Sequence, residues 1–483
     1  MSKFIVNVLK LFSATLAGQI IATILIPVLS RLYSPADFGL FQLFFSIVSL
    51  IAIIACFSYH QAIMLPKDDE ESAGIVLLCI FLIVITTIVT TVFFFVFSES
   101  ISQMLNAPDF STYIFLLPIA ILCNSIAYVL GYWLSRREQF GNIASGNLLA
   151  SVSGKAVSIG YGSVSPSPFG LIFGTIIHDA TLAAVLIKRT VADIRLFRSV
   201  SYEQMKQLAV RYKRFPQFST GTNLASIASL QVTPFLLAFF FSPAIVGYYA
   251  MTYMVIHMPS KLIGNSITSI FFQKASVEKN LTGSAKKIVK TVHSRLISLG
   301  IFICLVLMTA GPELFSFALG AQWSVAGVYA QILAPWFFVA FISTPLFSIF
   351  SIFEKQTSSL AFNLLLLLSR IIVIVISGLL ADPILAMLLL SSTGVLFWTW
   401  MNMYLLKTAG VSVREGLQEI LYYLALGALF CMPIIFAKYY SVTPTLLFAI
   451  LVFMTGGYYL VVIYQDTQLR EGLLNILKTI LPK

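Results

Sequence analysis

The feature that most constrains this chain is the recurrence of long apolar segments separated by short polar connections. A membrane-spanning helix needs about 20 consecutive, mostly apolar residues. Segments of that kind follow one another along nearly the whole chain, and we count fourteen, at residues 8–32, 39–63, 75–97, 112–134, 143–163, 169–188, 217–241, 248–272, 292–311, 326–350, 358–380, 384–406, 419–437 and 445–464. The sequence therefore predicts an all-α polytopic membrane protein with about fourteen transmembrane helices.

Composition and charge exclude soluble classes of protein. Hydrophobic residues make up 59% of the 483 residues and charged residues only 10%, whereas soluble domains contain about 25% charged residues. A net charge of +11 would suggest nucleic acid in a soluble protein, but here the basic residues mark one side of the membrane, and we predict no nucleic-acid partner. Only Arg31 and Lys438 fall in connections on the other side. Since Lys and Arg accumulate in cytoplasmic connections, we predict that both termini are cytoplasmic.

An internal repeat predicts how the helices are grouped. The segment Ser34-Pro35-Ala36-Asp37-Phe38-Gly39 follows the first span, and Ser242-Pro243-Ala244-Ile245-Val246-Gly247 follows the seventh. Two copies of six helices share one membrane orientation, so an axis along the membrane normal should relate them around a central cavity. We predict an N-terminal lobe at 1–190, a cytoplasmic linker helix at 191–216, and a C-terminal lobe at 217–407. Residues 408–483 would add a second linker helix, transmembrane helices 13 and 14 and a cytoplasmic tail.

The linker helix carries a recognisable start signal. Ser201 is followed three residues later by Gln204, which is the spacing of a capping box. We expect a cytoplasmic helix that begins after Ser201 and ends before Pro216.

Signals of catalysis are missing from the sequence. The five cysteines lie within apolar stretches without a CxxC pair, and the four histidines lack metal-ligand spacing. Acidic residues of the outer connections stand singly, so no general acid and base share an element. We predict a protein that is not an enzyme, with no catalytic residues, no metal site and no cofactor.

Four charged residues fall well inside the spans, away from their ends. Lys155, Lys261 and Arg370 lie 12 to 13 residues into their spans, and Asp179 lies in span 6. Each such charge costs roughly 2.5–3.5 kcal/mol at the centre of a helix on insertion scales. We therefore expect them to face a wet or paired interior, in which Asp179, the only acidic residue away from the ends of the spans, is the candidate for ion coupling.

Polar residues at helical spacing accompany the three cations. Asn147, Ser151 and Ser158 share a stripe with Lys155, His257 and Asn265 share one with Lys261, and Asn363 shares one with Arg370. An excess of cations at mid-depth favours an anionic substrate. We predict that the cavity is lined by Lys155, Lys261, Arg370, Asn147, Gln19, Asn265 and Asn363. The alternative is that Lys155 or Arg370 pairs permanently with Asp179, and that Ser and Thr only hold helices together.

Three short motifs resemble a known family. The segment from Arg31 to Gly39, its repeat from Ser242 to Gly247, and Gly320-Ala321-Gln322-Trp323 are similar to the Wzx-type O-antigen repeat-unit flippases. These form part of the polysaccharide-transporter branch of the multidrug/oligosaccharidyl-lipid/polysaccharide exporters. The similarity extends over nearly the whole chain in topology.

The resemblance implies a function and a location. A member of that family moves an undecaprenyl-pyrophosphate-linked oligosaccharide from the cytoplasmic to the periplasmic leaflet of the bacterial inner membrane, for lipopolysaccharide biosynthesis. The family also implies alternating access through a cationic cavity, coupling to an ion gradient, and membrane lipids, a polysaccharide polymerase and a chain-length regulator as partners.

Two other functions stay open at this point. A multidrug or small-molecule antiporter would share the fold, although an anionic or aromatic-rich cavity would suit it better than three cations. A membrane glycosyltransferase or polymerase would need large outer loops with acidic motifs, which the sequence lacks.

Overall fold

The computed structural model describes residues 23–466 and 470–471, and gives only the backbone of 259 and 261–270. Over these residues every regular element is helical. The longer helices are α1 (Ile26–Leu32), α2 (Pro35–Ile54), α3 (Asp69–Met104), α4 (Leu117–Arg136), α5 (Phe140–Val164), α6 (Pro168–Thr190), α7 (Tyr202–Arg211), α8 (Thr220–Phe240), α9 (Pro243–Ile256), α10 (Met258–Thr282), α11 (Lys286–Leu319), α12 (Ser324–Ser343), α13 (Gln356–Leu379), α14 (Pro383–Thr408), α15 (Val413–Tyr439) and α16 (Pro444–Gln465).

The surface and length of these helices identify a multi-pass membrane protein. Within the described residues, 11 helices are long and apolar enough to cross a bilayer. Large apolar side chains on α3 are exposed, among them Val92 at 60% and Phe95 at 73%. Water would disfavour such a surface, whereas lipid matches it. The predicted all-α polytopic class is confirmed.

The predicted count of fourteen spans is not confirmed. Most of the first span, 8–32, lies outside the described residues. The helix α5 corresponds to the fifth span but is rich in Gly and Ser and is not among the 11 apolar helices. The eighth span, 248–272, is divided at His257 into the end of α9 and the first part of α10.

The chain forms two compact units. The first contains the residues up to Met251 together with Gly378–Ala381, and the second contains Thr252–Ser377 and the residues from Asp382 onward. Trp133, Ile63 and Ile75 are fully buried in a core of the first unit. Phe362 and Leu405 are fully buried in a core of the second. The lobe boundaries that the repeat suggested stay a prediction.

The two copies of the repeated motif meet inside the first unit. Ser34 caps α2, because its Oγ accepts from the Asp37 N–H at 3.2 Å while Asp37 Oδ2 accepts from the Ser34 N–H at 2.8 Å. A Cβ added at Gly39 would lie 1.7 Å from the carbonyl oxygen of Pro243, and one added at Gly247 would lie 1.8 Å from that of Pro35. The contact is reciprocal, as expected of two copies related by a twofold axis. Only glycine allows the backbones to approach so closely.

Hydrogen bonds between side chains hold α8 along α2. Ser46, which is fully buried, donates from Oγ to Gln231 Oε1 at 2.7 Å. Near the other end of α8, Ser58 Oγ accepts from Thr220 Oγ1 at 3.2 Å and from Asn223 Nδ2 at 3.1 Å. Without water to compete, such bonds fix the register of two membrane helices.

The connector that follows α6 is anchored at the basic end of the first unit. Ser201 caps α7 as predicted, since its Oγ accepts from the Gln204 N–H at 3.2 Å and Gln204 Oε1 accepts from the Ser201 N–H at 2.7 Å. Asp193 accepts from Trp133 Nε1 at 3.1 Å and pairs with Arg137 at 3.2 Å. The connector therefore has specific partners on α4.

Candidate functional site

The helix that carries Lys155 is oriented by a row of small residues. On α5, Gly146, Gly154 and Gly162 recur every eight residues and are buried. A Cβ at Gly154 would lie 2.6 Å from the carbonyl oxygen of Gly174 on α6. Gly146 and Gly154 therefore pack against α6, whereas Gly162 packs against the ring of Tyr33. The neighbouring face of α5 presents Asn147, Ser151 and Lys155.

The predicted stripe on α5 is divided between these two faces. Ser158 is 4% exposed and donates from Oγ to the carbonyl oxygen of Gly154 at 3.1 Å, so it belongs to the packing face. Asn147 and Lys155 are only partly buried. Among the described residues no hydrogen-bond acceptor or carboxylate pairs with either side chain. Lys155 thus lies in the middle of α5 with no anionic partner among the described residues.

Asp179 has its own partners in the first unit. It is 6% exposed on α6, where Oδ2 accepts from Asn124 Nδ2 of α4 at 3.0 Å and Oδ1 lies 2.9 Å from His178 Nδ1. Within the first unit, Asp179 therefore contacts Asn124 and His178 rather than Lys155. We refer to these two side chains as the Asp179–His178 pair.

The pair is a neighbour of Lys155 through helix packing. A Cβ built on Gly154, the residue before Lys155, would lie 2.8 Å from His178 Cβ. Any change of charge on the pair therefore occurs next to the turn of α5 that carries the cation. The sequence analysis missed Asn124, although a buried carboxylate signals that donors must lie near it.

Arg370 lies in the second unit against an aromatic cluster. Its guanidinium carbon is 5.5 Å from the centroid of the Trp336 ring, a cation–π arrangement. Trp336 stacks on Phe337 with centroids 4.9 Å apart, and His257 meets Phe337 at 4.7 Å. On the other side Gly394 leaves space for the indole, since a Cβ there would lie 2.4 Å from it. The Trp336 ring therefore fixes one side of the guanidinium.

The other predicted site residues have different placements. Asn363 is exposed on α13 and donates from Nδ2 to the carbonyl oxygen of Ser359 at 2.9 Å. Gln19 lies outside the described residues, and so do the side chains of Lys261 and Asn265. Lys155 belongs to the first unit and Arg370 to the second. That these residues line one cavity stays a prediction.

Metal ligands do not cluster in the part of the chain that the structure describes. In residues 23–466 and 470–471, no group of three or more His, Cys, Asp and Glu side chains is arranged to hold a metal ion. Among these residues, Lys155 and Arg370 offer positive charge to an anion, and Asp179 offers a carboxylate that is buried beside a partly exposed imidazole.

Comparison with known proteins shows which family and which solved structures this chain resembles. Residues 28–327 match a family described as "Polysaccharide biosynthesis protein". A search of curated protein sequences found no match. Among solved structures, the lipid II flippase MurJ in an inward closed conformation is 13% identical, with a TM-score of 0.70, and the alignment covers 94% of this chain and 99% of that chain. A multidrug resistance MATE family transporter of the MOP superfamily, inward-facing, is 15% identical with a TM-score of 0.59, over 83% of this chain and 96% of that chain. The chain thus has a MurJ- and MATE-like transporter fold.

Proposed function

Because the chain belongs to the polysaccharide biosynthesis protein family, we propose that it is a flippase for a lipid-linked oligosaccharide of surface polysaccharide synthesis. The proposed substrate is an undecaprenyl-pyrophosphate-linked repeat unit, such as that of O-antigen. It would move from the cytoplasmic to the periplasmic leaflet of a bacterial inner membrane by alternating access. The fold over almost the full length of the chain supports a transporter of this class.

The observation that carries the proposal is Lys155. A partly buried ammonium at the middle of α5 has no carboxylate partner among the described residues. Because an unpaired charge within a membrane is costly, its retention indicates a function, and an anionic ligand would compensate it. A pyrophosphate linkage is such an anion, and it cannot cross the apolar core unaided. Arg370 would supply the second cation, with its guanidinium held on Trp336.

Asp179 supports coupling of transport to protons. It is buried next to His178 and adjoins the turn of α5 that carries Lys155. When the pair is deprotonated, its negative charge competes with the substrate for the nearby cation. When the pair is protonated, that competition ends, so proton uptake and substrate binding strengthen each other, as linkage requires.

A cellular experiment tests the proposal. Deleting the gene should cause a lipid-linked repeat unit to accumulate on the cytoplasmic leaflet, because its synthesis continues while export stops. The wild-type chain should restore surface polysaccharide, and the Lys155→Ala variant should not. Lys355→Ala is the matched control, since Lys355 is exposed in a connection and should be dispensable.

A different outcome would support the antiporter. Normal surface polysaccharide after deletion, together with a new sensitivity to small toxic compounds, would reject the flippase proposal in favour of multidrug export.

A further inference from the structure

A pocket in the second unit lies apart from the residues discussed so far. It has a volume of about 390 Å³ and lies between the end of α11 and the beginning of α16. Its walls are largely apolar and include Pro312, Phe317, Leu447 and Leu451. These segments lie at the end of the unit opposite the Lys- and Arg-rich connections.

A kink in α11 shapes this pocket. Pro312 cannot donate a backbone hydrogen bond, and Ala310 leaves the helical region with φ −132° and ψ 25°. Two carbonyl oxygens near the break accept hydrogen bonds from side chains of other helices. The carbonyl oxygen of Met308 accepts from Gln331 Nε2 at 2.9 Å, and that of Thr309 accepts from Lys438 Nζ at 3.1 Å. The kink is therefore a stable part of the fold, and it brings Lys438 to the edge of the pocket.

One ion pair stands at the edge of the apolar pocket. Lys438 Nζ lies 2.9 Å from Glu313 Oε1, and Glu313 is itself part of the pocket wall. Glu313 Oε2 is buried and has no hydrogen-bond donor among the described residues. A buried carboxylate oxygen without a donor is unfavourable, so a donor arriving from the pocket would stabilise it.

We propose that this pocket binds a zwitterionic glycerophospholipid with a primary-amine headgroup. An acyl chain would fill the apolar part, whose volume is that of an ordinary ligand site. The ammonium of the headgroup would donate to Glu313 Oε2, while its phosphate would accept from Lys438. The positive amine of the headgroup would thus face Glu313 and its negative phosphate would face Lys438, so the two charges complement the ion pair of the protein. The lipid would fill the space between the kinked α11 and the last two helices.

Native mass spectrometry of the purified full-length chain tests the proposal. The probes are phosphatidylethanolamine, phosphatidylcholine and phosphatidylglycerol with identical acyl chains. Phosphatidylcholine keeps the positive charge but has no N–H, so we expect it to be retained about tenfold less than phosphatidylethanolamine, the cost of one charge-assisted hydrogen bond. Equal retention of these two lipids, or preference for the anionic lipid, would overturn the proposal. This comparison needs no variant and cannot be lost to misfolding.

Two variants separate the headgroup from the acyl chain. Glu313→Gln should abolish the preference for the primary amine, whereas Glu99→Gln should keep it, because Glu99 is exposed on α3 in the other unit. Ser316→Phe places a ring in the pocket without touching the ion pair, and it should reduce retention of all three lipids. Unchanged preference in Glu313→Gln, or unchanged retention in Ser316→Phe, would contradict the assignment.

Discussion

Lys155 combines two properties that conflict unless a ligand is present. It lies near the middle of an apolar membrane protein, yet the described residues supply it with no anion. Arg370 differs, because an indole ring faces its guanidinium. Asp179 differs again, because Asn124 and His178 both contact it. At the scale of single residues, Lys155, Arg370 and Asp179 therefore have three distinct environments, and we propose that Lys155 meets the charged substrate directly.

Replacing the Lys155 side chain should lower export without lowering the stability of the protein. Lys155→Ala should lower export by about tenfold or more, since a charge-assisted hydrogen bond contributes about 1.5–3 kcal/mol. The same change removes a charge from the membrane interior, so thermal stability of the purified protein should stay equal or rise. Export is measured as surface polysaccharide, and stability as the midpoint of unfolding in detergent. A variant that is unstable but transports normally would show that Lys155 has a structural role.

Export should depend on both the positive charge and the planar shape of the Arg370 side chain. Arg370→Ala should lower export strongly, and Arg370→Lys should keep more activity than Arg370→Ala because the positive charge is retained. Arg370→Lys should still fall short of the wild type, since an ammonium lacks the planar group that stacks on Trp336. Full export by Arg370→Ala would remove this residue from the proposed site.

Asp179 should control the dependence of transport on protons. Asp179→Asn cannot exchange a proton, although its amide oxygen can still accept from Asn124. We expect this variant to bind substrate but to transport at a rate that no longer depends on the pH gradient, as measured in vesicles with an imposed gradient. Glu99→Gln is the control for loss of an acidic side chain. Gradient-dependent transport by Asp179→Asn would discard the coupling role, and low protein level would indicate a structural one.

At the scale of helices, glycines decide which faces meet. Gly154 of α5 contacts the backbone of Gly174 of α6, and Gly39 of α2 contacts that of Pro243 at the start of α9. Neither contact leaves space for a methyl group, and neither neighbour is a flexible side chain that could move away. The close approach of small residues is a common way for membrane helices to associate.

Substitutions at two glycines of α5 test whether the close contact with α6 stabilises the protein. Gly154→Ala should destabilise the protein by about 1–3 kcal/mol, the usual cost of overpacking. Gly160→Ala on the same helix has open space around it. It should be neutral or stabilising by up to about 1 kcal/mol, since alanine favours helices. Thermal unfolding of both variants in one detergent provides the measurement, and equal effects would refute the packing.

The limits of prediction from sequence are clearest on α5 and α6. The apolar spans predicted the helical class, and the capping box of Ser201 and Gln204 predicted where α7 begins. The spacing of Asn147, Lys155 and Ser158 fits one stripe, but a row of glycines occurs on the same helix, and only Gly174 on another helix decides which face is buried. Likewise Asn124 lies 55 residues before Asp179, and no local pattern connects them.

At the scale of the whole molecule, transport from the cytoplasmic to the periplasmic leaflet requires that each connection lie on a particular side of the membrane. The distribution of Lys and Arg predicts cytoplasmic termini. Reporter fusions after Asp109 and after Pro383 should report the periplasm, and a fusion after Lys213 should report the cytoplasm. A cytoplasmic signal after Asp109 would contradict the map.

The most direct test of the central claim is translocation by the purified protein. Proteoliposomes are prepared with an undecaprenyl-pyrophosphate-linked repeat unit in both leaflets, and the sugar of the outer leaflet is removed by an added glycosidase that cannot enter. With the wild-type chain and a proton gradient, the whole pool should become accessible, while Lys155→Ala and empty liposomes should stop at about half. Accessibility that stops at half with the wild type as well, under either orientation of the gradient, would contradict the account.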